Sequence, residues 1–89
     1  MPQVSIPIEQ LSVTAHEFAR ASADTAAIRG RLDKHMAGLA HNWDDTNRQK
    51  FFQYYRELGD QLNACTEMLT LIAREMQAMA DRYQAIDHG

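Results

Sequence analysis

Glycine, proline and cysteine are scarce in this chain, and each shortage excludes something. Four glycines and two prolines in 89 residues are too few for an all-β domain, which needs a turn roughly every ten residues. A single cysteine, Cys65, excludes an intramolecular disulfide and any zinc site built from several thiolates. No apolar run approaches the ~20 residues that span a bilayer. There is no run of lysine or arginine, and the net charge is -3. Binding to a nucleic-acid backbone through counterion release therefore has little to work with, and neither does attraction to an anionic membrane surface. The opening Met1-Pro2-Gln3-Val4-Ser5-Ile6-Pro7 has neither the basic nor the apolar segment of a cleavable secretory signal.

Catalytic arrangements are missing too. No glycine-rich phosphate loop and no local Ser/His/Asp motif occurs. His35 and His41 lie close to the middle of the chain, yet no His-x-x-x-His or Glu-x-x-His pair supports a metal. We read them as solvated or hydrogen-bonded histidines, with His35 packing by Tyr55. Cys65 reads as a buried structural thiol facing Thr25, because a reactive thiolate needs an electropositive, accessible setting. The chain is expected to be no enzyme and to carry no cofactor and no metal.

What the sequence does contain is helix. Ala, Leu, Gln, Glu, Arg and Met are plentiful and favour it. From Pro7, apolar or small residues recur at Leu11, Thr14/Ala15, Phe18, Ala21, Thr25, Ile28, Leu32, His35/Met36 and Leu39, alternating three and four apart, as on one face of a helix. A second stripe reads Phe51, Tyr55, Leu58, Leu62, Cys65, Leu69, Ile72, Met76, Met79, Tyr83 and Ile86, with charged residues off it. Between them Ala40-His41-Asn42-Trp43-Asp44-Asp45-Thr46 breaks the pattern and holds the only tryptophan. This predicts a single domain, 1–89, made of helix one over about 7–40, a bend over about 41–45 and helix two over about 46–86. Thr46 with Gln49 fits a capping box, and Asp44 or Asp45 caps equally well.

Folding the chain near Asp45 aligns the two stripes as an antiparallel hairpin. Leu39 then meets Phe51, Leu32 meets Leu58, Ile28 meets Leu62, Thr25 meets Cys65, Ala21 meets Leu69, Phe18 meets Ile72 and Leu11 meets Met79. Small residues on helix one repeatedly face large ones on helix two. Gly30 and Gly38 each weaken a helix by ~1 kcal/mol relative to Ala, so a reason for them is expected. A stripe of small residues, Ala19, Ala23, Ala26, Gly30 and Ala37, is either a docking face for another helix or an alanine-rich solvent face. Two helices enclose no core, and about ten large side chains left half-exposed forgo on the order of 10 kcal/mol. The expected architecture is therefore all-α, an antiparallel two-helix hairpin dimerising into a four-helix bundle. Its core in the hairpin and dimer is expected to comprise Leu11, Phe18, Ile28, Leu32, Leu39, Phe51, Tyr55, Leu58, Leu62, Leu69, Ile72, Met76 and Met79.

In length, in its two long amphipathic helices and in the tryptophan at the bend, the chain resembles the WXG family, the ESAT-like proteins that bacterial type VII (Esx/Yuk) systems secrete. Phe51 follows Trp43 where the family usually has an aromatic. Near the end, Tyr83-Gln84-Ala85-Ile86-Asp87 matches the family's Tyr-x-x-x-Asp/Glu secretion signal. One departure is clear: the family's Trp-x-Gly reads Trp43-Asp44-Asp45 here. Asp tolerates unusual backbone conformations better than most residues and can cap helix two, so Asp45 is a physically reasonable substitute for the glycine.

The resemblance implies synthesis in the cytoplasm and export of the folded dimer without a cleaved signal peptide. It implies that Trp43 and Asp45 of one subunit lie near Tyr83 and Asp87 of the other, together forming a two-part signal for the type VII secretion ATPase. Trp43 is also expected to close the hairpin end against Leu39 and Phe51. The partner is expected to be a second copy, since one chain supplies both bend and tail, or else a homologous hairpin protein. The expected function is that of a small secreted type VII substrate acting through protein–protein contact. The alternatives are a partner or targeting chaperone of a larger effector toxin of that pathway and an intracellular coiled-coil adaptor.

Overall fold

The structure, a computed structural model, describes residues 6–88, with side chains for residues 6–86. Two helices make up the fold: α1, Ile8–Asn42, and α2, Asn47–His88. They lie antiparallel in a rod of 70 × 20 × 15 Å. Its radius of gyration of 20.2 Å far exceeds the ~12 Å of a compact domain this long. Pro7 precedes α1 and its carbonyl accepts from the Leu11 amide at 2.9 Å. The ends of α1 and α2 sit within two residues of the bounds expected from the sequence, a difference within the fraying of any helix end.

The seam between the helices is made of small side chains. Among the described residues the buried ones are Ala15, Ser22, Ala73 and Ala80, with Gly59. Ser22 lies against Thr66 and Thr70. Its hydroxyl donates to the Thr66 carbonyl at 3.2 Å and shares a 2.7 Å hydrogen bond with the Thr70 hydroxyl. One heptad along α1 and back along α2, Arg29 lies over Gly59. Its guanidinium donates to the Gly59 carbonyl at 2.7 Å and to Asn63 Oδ1 at 2.8 Å. One heptad the other way, the same step pairs Ala15 with Ala73. The row Ala15, Ser22, Arg29 thus opposes the row Ala73, Thr66, Gly59. Small groups here let the backbones approach closely enough for side chains to bond the opposite helix directly.

The layers do not pair residue for residue as expected: Ser22 lies against Thr66 and Thr70, two residues to either side of the Met68 that the expected pairing puts opposite it, and the face is different too. The α2 stripe is three heptad rows wide, and the structure sorts them. Gly59, Thr66, Ala73 and Ala80 face α1. Tyr55, Leu62, Leu69, Met76 and Tyr83 flank the seam and are half-buried. Phe51, Leu58, Cys65, Met79 and Ile86 are exposed, with only Ile72 of that row half-buried. Cys65, expected to be shielded by Thr25, is exposed, and the Thr25 hydroxyl donates instead to the Ala21 carbonyl at 2.8 Å. Small side chains took the seam that large ones were expected to fill. On α1, Leu11, Phe18 and Leu32 are half-buried, while Ile28 and Leu39 are 41% and 45% exposed.

His35 is exposed, and the partners of Tyr55 are Asp33 and Arg29. The Tyr55 hydroxyl donates to Asp33 Oδ1 and lies 3.4 Å from the Arg29 carbonyl. Arg29 Nε reaches the same carboxylate at 3.3 Å. These bonds hold the Asp33 carboxyl below the usual carboxylate range, the tyrosine bond contributing most. Partial burial, then the facing carboxylate, pushes the Tyr55 hydroxyl up. Gly59 lets the guanidinium approach: a Cβ there would come within 2.8 Å of Arg29 Cζ. Gly30 and Gly38 have no such reason, since a Cβ at either meets nothing within 4 Å.

Two predictions follow from this seam. Gly30→Ala and Gly38→Ala each raise stability by about 1 kcal/mol, read by denaturant unfolding. Gly59→Leu, which displaces Arg29, lowers it by about 1–3 kcal/mol. The second concerns pH. A depressed carboxyl stabilises the fold above its unfolded pKa, and that contribution disappears as pH falls through the folded value. The wild type therefore loses stability below about pH 4, and Asp33→Asn and Tyr55→Phe flatten that acid limb in urea titrations at stepped pH. At the alkaline end the raised Tyr55 hydroxyl contributes below about pH 10, and its contribution fades as pH rises through the folded value.

Candidate functional site

The bend is four residues, Trp43 to Thr46. α1 ends as the Trp43 backbone turns extended, φ -104° and ψ 110°, with its amide still donating to the Leu39 carbonyl at 2.9 Å. Asp45 starts α2. Its Oδ1 accepts the Asn47 amide at 2.6 Å, and its carbonyl accepts the Arg48 amide at 3.2 Å. A side-chain acceptor two residues ahead with a carbonyl closing the first turn is the action of an N-cap. Of the caps the sequence offered, Asp45 is the one used. No described residue has a positive φ, so the bend requires no left-handed conformation. Asp45 serves the bend through its carboxylate, not through tolerance of an unusual backbone.

Trp43 packs on Phe51, with ring centroids 5.6 Å apart and planes tilted by 34°. Phe51 in turn meets Tyr54 edge-on at 5.9 Å. These rings and Met36, Leu39, Tyr55 and Leu58 line an open apolar hollow of about 520 Å³ on one broad face of the rod. Leu39, Phe51, Tyr54 and Leu58 remain exposed around it. A second hollow, lined by Asp44, Asp45, Arg48, Gln49, Phe52, Tyr55 and Arg56, has mixed charge, with the Arg48 guanidinium 5.4 Å from the centre of the Phe52 ring.

Tyr83 stands half-buried near the other end of α2. The backbone at Asp87 is still helical, but its side chain, and so its expected alignment with Tyr83, lies outside the described residues. About 36 residues of continuous helix separate the bend from Tyr83, roughly 55 Å at ~1.5 Å per residue. One chain therefore does not unite Trp43 and Asp45 with Tyr83 and Asp87. The aromatic hollow was not foreseen as a unit. The signal for it was Tyr54 beside Phe51 and Leu58, off the stripe by one position.

The remaining chemistry is sparse. His16, His35 and His41 are exposed along α1. Among the described residues no group of three or more His, Cys, Asp or Glu is placed to hold a metal ion, and no helix is long and apolar enough to cross a membrane.

A family model described as proteins of 100 residues with WXG, WXG100, matches residues 3–88. The chain belongs to the WXG100 family. The fold agrees with solved structures of a secreted protein, EsxB, from Bacillus anthracis str. Sterne. The selenomethionine-labelled protein superposes with a TM-score of 0.85 at 21% identity, over 98% of this chain and 99% of that one. A glycine-to-alanine variant of EsxB gives 0.84 at 20% identity, over 94% and 97%. A glutamate-to-glutamine variant gives 0.85 at 21%, over 98% and 97%. No curated protein matches this WXG100 chain.

The bend chemistry yields a direct test. Asp45→Ala removes the cap and costs about 1 kcal/mol, whereas Asp45→Gly, which restores the family's Trp-x-Gly, costs only a few tenths. Chemical denaturation of the two variants beside the wild type reads the difference. An equal, large loss in both would remove the capping role.

Proposed function

We propose that this chain is a small substrate of a bacterial type VII secretion system, exported without a cleaved signal peptide and acting through protein–protein contact as half of a four-helix bundle. The observation that carries this reading is a WXG100 hairpin whose two signal-like features, the Trp43 bend and the Tyr83 to Asp87 segment, sit at opposite ends of one rod. A second hairpin, itself or a homologue, running the opposite way brings the bend of one beside the tail of the other. Trp43 and Asp45 would then form, with Tyr83 and Asp87 of the second chain, the surface that the secretion ATPase reads. An aromatic and a carboxylate four residues apart on a helix project to one side, which suits recognition by a second protein.

The exposed row Ala19, Ala23, Ala26, Gly30 and Ala37 favours a second reading, a partner or targeting chaperone for a larger effector. Small residues at that spacing on an open face admit another helix closely, and a Cβ at Gly30, the glycine of the row, would meet nothing within the hairpin.

Expression of Tyr83→Ala, Asp87→Ala and Trp43→Ala variants in a bacterium carrying a type VII ATPase separates these readings from a passive rod. The expected result is at least a tenfold drop of each variant in culture supernatant while its level in cells holds. Export at the wild-type level by all three would remove the signal assignment. Co-export that depends on a larger helical effector would favour the chaperone.

A further inference from the structure

The mixed-charge hollow at the bend, about 540 Å³ and open on one side, lies on another flank of α2 from the aromatic one, and only Tyr55 lines both. Successive residues of a helix stand about 100° apart around its axis, so Phe52 turns away from the side that carries Phe51 and Leu58. A molecule seated on those two residues meets a different side of α2. The floor of the mixed hollow is the half-buried Phe52 ring, with Arg48 one turn before it and Arg56 one turn after it.

Both guanidiniums are unspent. Among the described residues neither Arg48 nor Arg56 joins an ion pair, whereas Arg20 and Arg29 do. Arg48 has a carboxylate one turn back, Asp44, and does not take it; its guanidinium lies instead 5.4 Å from the centre of the Phe52 ring. A guanidinium over an aromatic ring is attracted by the negative face of the ring, while the N–H groups along its own edge stay available. The other carboxylate of the lining, Asp45, is committed to the Asn47 amide at 2.6 Å.

The charge of the whole rod favours an anion at this end. Between Arg29 and Gly59, which touch across the seam, stand six of the nine lysines and arginines and four of the twelve acids. The bend end therefore carries a net charge of +2 and the remainder of the chain -5, within a total of -3. A separation of charge along a rod steers an acidic ligand to the bend and away from the tails.

We propose that this hollow docks an acidic segment of a partner protein, with one carboxylate on Arg48, one on Arg56 and an apolar side chain between them on Phe52. Each guanidinium offers the paired donors that a carboxylate accepts two at a time. The two arginines stand two helical turns apart, about 12 Å along α2, farther than one small carboxylate spans. A partner helix with acids two turns apart matches that distance, and so does an extended chain with acids four residues apart, at about 3.3 Å per residue. Asp44 at the tip repels a further acid there, so the segment runs from Arg48 inward along α2. The site does not rest on the export reading above, since Trp43, Tyr83 and Asp87 take no part in it.

Fluorescence anisotropy tests this with a labelled helical peptide that carries two glutamates two turns apart and a leucine midway. The full chain binds it below about 1 mM, and a peptide of the same composition in shuffled order binds at least fivefold more weakly. Arg48→Glu and Arg56→Glu, at exposed positions, keep helix content by circular dichroism and each weaken binding at least tenfold. Lys50→Glu makes the same change of charge beside Tyr54, outside the hollow, and leaves affinity within about twofold. No binding of the peptide at about 1 mM overturns the site. An equal loss in Lys50→Glu does so too, since it reduces the attraction to diffuse charge. A single-stranded oligonucleotide that binds more tightly than the peptide, and loses that binding in the two arginine variants, overturns the acidic protein segment in favour of nucleic acid.

Discussion

The contact on which the rest depends is the approach of α1 to α2 across small side chains. Ala15 against Ala73, Ser22 against Thr66 and Arg29 over Gly59 set the level and the facing of everything else. A seam this narrow buries little apolar area, so the hydrophobic effect alone does not specify it. Directed bonds do. Ser22 to the Thr66 carbonyl, Arg29 to the Gly59 carbonyl and Tyr55 to Asp33 each require one register, and slipping α2 by one residue breaks all three. Polar bonds across partly buried surface are individually worth only ~1 kcal/mol or so. Their strict geometry makes them better at choosing a register than at supplying stability.

The same choice decides what is left outside. Because the small row takes the seam, the large row of α2 is turned to one broad face, and the aromatic residues at the bend are turned with it. A seam filled by Leu58, Ile72 and Met79 would give a better-buried hairpin with nothing left to pair. The hairpin thus fixes its geometry with small and polar groups and leaves large apolar residues of α2 on its surface. Phe51, Leu58, Met79 and Ile86 remain exposed along that face, on a rod 70 Å long.

Much of this was legible in the sequence because helices announce themselves by period. The two helices, the bend at the single tryptophan and the antiparallel course of the chain all follow from three-four spacing and its one interruption. The facing did not follow. A stripe with apolar residues three and four apart covers an arc wide enough for two contacts, and periodicity does not say which half meets its own chain. The missing clue was Gly59, a helix-weakening residue in the middle of a strong helix, aligned by heptads with Thr66, Ala73 and Ala80. That row has the smallest side chains on α2, and its meaning lay in the size of the residues and not in their polarity.

The bend shows the same limit in reverse. Reading Trp43-Asp44-Asp45 against Trp-x-Gly invited an argument about backbone freedom, because glycine is the residue for positive φ. The chain turns without any positive φ, so that freedom is not what the position uses here. A carboxylate accepting the Asn47 amide starts α2 directly, and on the other side of the turn Trp43 packs on Phe51. Glycine and aspartate are both good helix-start residues, one by permitting water and conformational adjustment, the other by supplying the acceptor. At this bend an aspartate therefore starts α2 without any left-handed backbone. Trp43 packs on Phe51, the first aromatic of α2, and that contact forms one wall of the hollow beside the bend.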